Sequence, residues 1–193
     1  MKVGLYFGTF NPIHVGHLII AQHMAEFTDL DQVWLVVTPH NPLKKKSTLL
    51  DDYTRLELVR LATEDYPELK PSDIEFKLTQ PNYTVNTLAH LEEKFPECRF
   101  SLIMGQDNID SLHKWKNYEV ILERYEILVY PRVLKSDEEK SGLGGHQNVH
   151  FVDAPIVEIS STFIRNALKS RKNPKALLPE KVWSYIDHNN LYR

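Results

Sequence analysis

Short apolar runs, many of them β-branched, alternate along the chain with longer stretches in which apolar positions recur every three or four residues. The first run, Lys2 to Phe7, ends at Gly8. A stretch from about Val15 to Phe27 follows, with Leu18, Ala21 and Ala25 on one side of a helix. Val33 to Val37 is apolar throughout, the pattern of a strand covered on both faces. Asp51 or Asp52 is placed to cap a helix to about Asp65, in which Leu58, Leu61 and Ala62 share a face. Ile74 to Leu78 reads as a strand, and Thr84 as the cap of a helix running to Phe95. Arg99 to Met104 is a second buried strand, closed by Gly105 and followed by a short helix and a loop around Trp115. Glu126 to Tyr130 and Val149 to Val152 complete the strands. Ser160 or Ser161 caps a helix to about Lys169, and Pro179 opens a last one to about His188. Two segments read as loops: Thr38 to Leu50, with its prolines and lysines, and the polar, glycine-rich Leu134 to Gln147.

Strands alternating with helices predict an α/β fold, an open parallel sheet with helices on both faces. With no repeat and no low-complexity linker, residues 1–193 form a single domain with a small C-terminal helical part at about 155–193. Right-handed crossovers bring the strand ends to one edge, where ligands bind. Three segments meet there: the turn after the first strand, the loop after Met104, and the turn before the Ser161 helix.

Composition narrows the function classes. The net charge of −3 gives no reason to expect non-specific nucleic-acid binding, for which a basic excess is usual. The single cysteine, Cys98, excludes an internal disulfide and any CxxC metal spacing. MKVGLYF lacks the length and cleavage site of a signal peptide, and no run approaches the ~18 apolar residues of a membrane span. A cytoplasmic protein that does not enter membranes is expected.

The chemistry concentrates in Gly8-Thr9-Phe10-Asn11-Pro12-Ile13-His14-Val15-Gly16-His17. A glycine directly after a strand, with a helix starting soon after, sets backbone N–H groups and a helix N-terminus at the strand end, which favours anions. His14 and His17 share one helical face, and Gly16 between them permits close approach. Two imidazoles there can donate hydrogen bonds to phosphoryl oxygens and stabilise charge that develops during transfer. A single histidine near a helix start is more often a plain surface residue. Zinc is disfavoured because no third ligand is marked by spacing. GxGxxG and GxxxxGK[ST] are both absent.

That decapeptide resembles the signature of the HxGH nucleotidylyltransferase superfamily, and Ile159-Ser160-Ser161-Thr162-Phe163-Ile164-Arg165 resembles the ISSTxIR motif of its nicotinate mononucleotide adenylyltransferases. Two motifs in order, far apart in the chain, carry more weight than either alone. The resemblance extends to Leu178-Pro179-Glu180 and Tyr185-Ile186. It implies a Rossmann-like HxGH nucleotidylyltransferase fold and transfer of AMP from ATP to nicotinate mononucleotide, giving deamido-NAD and pyrophosphate in NAD biosynthesis. Mg²⁺ is implied as the companion of ATP, with no protein ligand named. His14 and His17 would contact the ATP phosphates as catalytic residues. Gly8, Thr9, Phe10, Asn11, Gly16, Gly105, Asp107, Ser161, Thr162 and Arg165 would bind ATP, with Asp107 on an adenosine-side ribose. Hydroxyls at a helix start and an arginine one turn on also suit a phosphate on physical grounds, although a simple helix cap with a surface arginine has the same pattern.

For the acceptor, Pro81 to Leu88 resembles the family's SYTxDTL segment, and Met104 to Asn108 its GxD strand end. The resemblance implies that Trp115 stacks on the nicotinate ring and that Thr84, with the N–H of Lys116, holds its carboxylate. Trp115 is equally a packing residue by type. In the basic run Lys44-Lys45-Lys46, Lys44 or Lys45 is carried over as a phosphate contact; a solvated charge run has the same composition. The chain departs from the pattern at Phe7-Gly8, where a glycine pair is usual, at Asn11 and Asn86, where aspartate is common, and in lacking a histidine beside its lysines. Three rivals stand beside this reading: a nicotinamide mononucleotide enzyme, a pantetheine-phosphate adenylyltransferase, and a nucleotide-binding sensor without catalysis.

Overall fold

A computed structural model describes residues 1–39, 49–132 and 142–193. Chain order is β1 (Lys2–Gly8), α1 (Val15–Phe27), β2 (Gln32–Val37), α2 (Asp52–Thr63), β3 (Leu69–Ser72), α3 (Thr84–Lys94), β4 (Arg99–Gly105), α4 (Gln106–Ser111), α5 (Tyr118–Arg124), β5 (Glu126–Tyr130), β6 (Val149–Phe151), α6 (Ser161–Lys169) and α7 (Glu180–His188). The strands form one sheet in the order β3-β2-β1-β4-β5-β6, every pair parallel.

The two-residue period of the strands divides the core. Tyr6, Val33, Leu35, Val37, Ile103 and Leu128 face one layer, with α1, α2, α6 and α7 against them. Val3, Leu5, Val36, Leu102, Met104, Ile127 and Val129 face the other, under α3, α4 and α5. The apolar runs are therefore buried on both sides, as their composition requires. Ile164 and Leu168 of α6 and Val182 and Ile186 of α7 join the same core as α1 and α2. Lys181 of α7 also binds Asp65, just past α2, at 2.8 Å. Among the described residues no helix is long and apolar enough to cross a membrane.

Five features differ from the sequence reading. The strand expected at Ile74–Leu78 is a 3₁₀ turn, Ile74–Lys77, and the strand is Leu69–Ser72. Leu69–Ser72 lies on the sheet edge and pairs only with β2, so Pro71, which has no N–H to donate, costs no ladder bond on its open side. Thr84 is the first helical residue rather than the cap, which is Tyr83. Pro179 is the cap of α7 rather than its first residue. Helix α5, only seven residues long, replaces part of the loop expected after Trp115. Of the loop expected at Leu134–Gln147, residues 134–141 lie outside the described residues, and Leu143–Gly145 forms a 3₁₀ turn.

The chain leaves β1 toward β2 on one side and reaches β4 on the other, so strand order reverses between β1 and β4. The carboxyl ends of these two strands open a crevice, the place where such sheets hold ligands.

Candidate active site

The crevice is a cavity of about 400 Å³ at the ends of β1, β4 and β5. Its floor is Tyr6, Phe7, Gly8, Ile103 and Met104; its walls carry Thr9 to Asn11, His14, His17, Asp107, Arg132, Ser161, Thr162 and Arg165. Helices α1 and α6 both begin at this cavity, so two helix N-termini direct partial positive charge toward it.

The loop Thr9–Pro12 is held from behind. Arg55, fully buried in α2, donates from Nη1 to the Thr9 carbonyl at 2.6 Å and the Thr38 carbonyl at 2.9 Å. Its Nη2 reaches the Pro39 carbonyl and Asp52, and its Nε the Leu50 carbonyl at 3.1 Å. Arg165 Nη1 donates to the Asn11 carbonyl at 2.7 Å, and Ser161 Oγ to the Pro12 carbonyl at 2.9 Å. The Asn11 side-chain oxygen accepts from Leu50 N–H and from the Tyr192 hydroxyl at 2.8 Å. The loop's carbonyl oxygens, which would repel an anion, are thus neutralised by donors from α2, α6 and the C-terminal segment.

Phe10 has φ of 43°, a left-handed backbone uncommon for an aromatic residue. Burial holds it there: the ring is 2% exposed and meets Tyr6 and His17 edge-on. A Cβ on Gly8 would stand 2.9 Å from that ring, so glycine is what lets Phe10 fold back over β1.

His14 and His17 stack with ring centroids 3.7 Å apart. The His14 N–H donates to His17 Nδ1 at 3.2 Å, which leaves the ring proton of neutral His17 on Nε2 as a donor. Burial, reinforced by Arg132, lowers the His14 pKa to about 4, so His14 is neutral at pH 7. Gly16 lies behind the pair rather than on the cavity wall. A Cβ there would press within 2.9 Å of Val157 and 3.1 Å of the His14 ring. Gly105 likewise leaves space for the ion pair between Asp107 and Arg132, whose charged atoms are 3.5 Å apart.

The residues expected at the acceptor end stand apart from this cavity. Thr84 opens α3, Trp115 is half-buried against the second core, and Lys116 lies over the Tyr83 ring at 4.5 Å. That contact brings the Tyr83–Thr84 and Trp115–Lys116 turns together. Lys44 lies outside the described residues.

Sequence reasoning missed Tyr6, Tyr130, Arg132 and Asn108 in the cavity lining. Arg132 donates to the Tyr130 hydroxyl, which is 3.2 Å from that of Tyr6. Its position two residues beyond β5, at the same sheet edge, was the available signal. No group of three or more histidine, cysteine or acidic side chains among the described residues could hold a metal ion. Asp107, the one carboxylate on the described cavity wall, already faces Arg132.

Residues 5–167 match the cytidylyltransferase-like family. Over the full length of both chains, the protein is 72% identical to a Flavobacterium psychrophilum relative named "Probable nicotinate-nucleotide adenylyltransferase". One of the same name from Cytophaga hutchinsonii is 48% identical, over all of this chain and 98% of the relative. The chain belongs to the nicotinate-nucleotide adenylyltransferase family. Its fold is that of family structures as distant as the Plasmodium falciparum nicotinic acid mononucleotide adenylyltransferase complexed with NaAD. That enzyme superposes with a TM-score of 0.81 at 18% identity, over 99% of this chain and 97% of the other. The HxGH and ISSTxIR segments, 149 residues apart at the Ser161–Pro12 hydrogen bond, meet around the cavity within this family frame.

Proposed function

We propose that the chain transfers the adenylyl group of ATP to nicotinate mononucleotide, forming deamido-NAD and pyrophosphate in NAD biosynthesis. The observation that carries this reading is the convergence of two helix N-termini, two guanidinium groups and a stacked histidine pair on one cavity. The triphosphate of ATP is the ligand that such a field suits.

An oxygen of the mononucleotide's 5′-phosphate attacks the α-phosphorus of ATP in line. The bond from that phosphorus to the bridging oxygen breaks, and its electron pair leaves with pyrophosphate. The attacking phosphate is already ionised near neutral pH, so no general base is needed. His17, donating from Nε2, and neutral His14 stabilise charge on the phosphoryl oxygens. Thr9, Phe10 and Asn11 shape the loop that receives the triphosphate; Thr162 and Arg165 close it from α6. Asp107 is placed for ribose hydroxyls. Thr84 and the Lys116 N–H receive the nicotinate carboxylate, and Trp115 offers its face to the ring. Mg²⁺ would accompany ATP as the counter-ion of its phosphates. A single cysteine fits work in a reducing cytoplasm.

Incubation with ATP, Mg²⁺ and nicotinate mononucleotide, with products resolved by chromatography, is the test. Deamido-NAD and pyrophosphate in equal amounts are expected, with no label on the protein after α-labelled ATP alone. Absence of the dinucleotide sinks the proposal, and a labelled protein sinks the direct-attack mechanism.

A further inference from the structure

Glu75 is a carboxyl that neither the cavity nor the proposed mechanism uses. It lies in the 3₁₀ turn after β3 and is 2% exposed. Its Oε1 accepts from the Thr87 hydroxyl at 2.7 Å. Oε2 is sealed from solvent without a hydrogen-bond partner among the described residues, and the side chains of Thr38 and Asn82 lie near the carboxyl. The Glu75 carbonyl accepts from Asn82 Nδ2 at 3.0 Å, just before the Tyr83–Thr84 turn. Burial pushes the carboxyl's pKa up, and among the described residues no cation contributes a compensating attraction. Among the described residues the acid has no ion-pair partner. Its contacts, however, trace a continuous route.

That route runs across the molecule. Thr87 is on α3, one turn after Thr84. Thr38, on the other side of Glu75, follows β2, and its carbonyl is held by Arg55. The same Arg55 nitrogen holds the Thr9 carbonyl of the first loop. A chain of contacts therefore runs from the loop beside the histidines, through Arg55 and Thr38, to Glu75 and the start of α3. In-line attack depends on the separation and direction of donor and acceptor, and small displacements are costly.

We propose that Glu75 is a positioning residue that fixes the acceptor end of the site, at the start of α3, relative to the donor loop. This rests on the reading that Thr84 takes part in holding the acceptor. Glu75 acts through Thr87 and the Asn82 turn and touches neither substrate. It serves as a hydrogen-bond acceptor, so a neutral amide of the same shape can replace it.

The test is steady-state kinetics on the wild-type chain and on Glu75→Ala, Glu75→Gln, Thr87→Val and the Glu75→Ala/Thr87→Val pair, each with a thermal melt. The wild type is first compared with nicotinate and nicotinamide mononucleotides, which examines the Thr84 reading by itself. For the variants, Glu75→Ala is expected to lower kcat/KM for the mononucleotide about tenfold while the KM for ATP stays within about twofold. Glu75→Gln should recover most of the loss. The double variant should be no worse than Glu75→Ala, because both changes remove one shared bond. If Glu75→Ala fails to fold, Thr87→Val carries the same expectation for the mononucleotide. Equal losses for ATP and mononucleotide, additive effects in the pair, or no recovery with glutamine would each overturn the proposal.

Discussion

Four separate parts of the chain reach the Thr9–Pro12 loop at the donor end: Arg55 from α2, Ser161 and Arg165 from α6, Leu50 before α2, and Tyr192 near the C-terminus. At the proposed acceptor end, the Tyr83–Thr84 and Trp115–Lys116 turns meet through Lys116 over the Tyr83 ring, and Glu75 accepts a hydrogen bond from Thr87 of α3. The first is cross-linked by guanidinium, hydroxyl and N–H donors on carbonyl oxygens; the second rests on one cation–π contact and the Thr87 and Asn82 hydrogen bonds to Glu75. A triphosphate is the same in every adenylyl transfer, and a rigid, donor-lined loop suits it. The acceptor differs from enzyme to enzyme of a superfamily, and the turns proposed to meet it are short surface segments, where residues change with little disturbance to the core.

The comparison sharpens under substitution. Arg55→Met leaves the Thr9, Thr38, Pro39 and Leu50 carbonyls without their donor, and should cost about 3–5 kcal/mol in denaturant unfolding. A loss within experimental error would mean that the donor loop does not depend on this clamp. His17→Ala should lower kcat roughly 10²–10³-fold with ATP affinity much less affected, measured by turnover and by equilibrium binding. Full rate would remove His17 from the chemistry.

The two ends also have opposite pH signatures. His14 has its folded pKa lowered to about 4 from an ordinary 6.5, so the unfolded chain takes up that proton first. Its contribution is intact above about 6.5 and falls away as pH drops toward 4, a loss of roughly 3 kcal/mol. His14→Gln should flatten that slope in melts between pH 7 and pH 4. For Glu75 the folded pKa is raised, so its contribution is intact below the unfolded value and is lost as pH rises through the folded one. The smallest effect is Tyr192→Phe, which removes one hydrogen bond to Asn11 and should cost about 1 kcal/mol. A wild-type melting temperature in that variant would show the C-terminal contact to be dispensable.

Much of this was readable before folding. The apolar runs at Val33–Val37 and Glu126–Tyr130 became strands covered on both faces because nothing else buries so many β-branched side chains in so few residues. His14 and His17 were legible because helical spacing alone puts them side by side. The edge strand was not, since Leu69-Lys70-Pro71-Ser72 carries neither alternation nor β-branching and is a strand only because β2 offers it an edge. Arg55, Arg132 and Tyr192 were harder to read, Arg132 offering only its place just past β5. Their partners lie at Thr9, at Asp107 and at Asn11, up to 181 positions away, and no local pattern records such a meeting.

The division between a donor end common to adenylyl transfer and an acceptor end that selects its substrate is most directly tested by one ratio. That ratio is kcat/KM for nicotinate mononucleotide over nicotinamide mononucleotide, at saturating ATP and Mg²⁺. The proposed contacts of the Thr84 hydroxyl and the Lys116 N–H with the carboxylate predict a preference for the nicotinate form of roughly 10²-fold or more, because the amide leaves them poorly paired. Equal use of the two mononucleotides, or preference for the amide, would contradict the assignment of Thr84 and Lys116 and with it the selective role of that end.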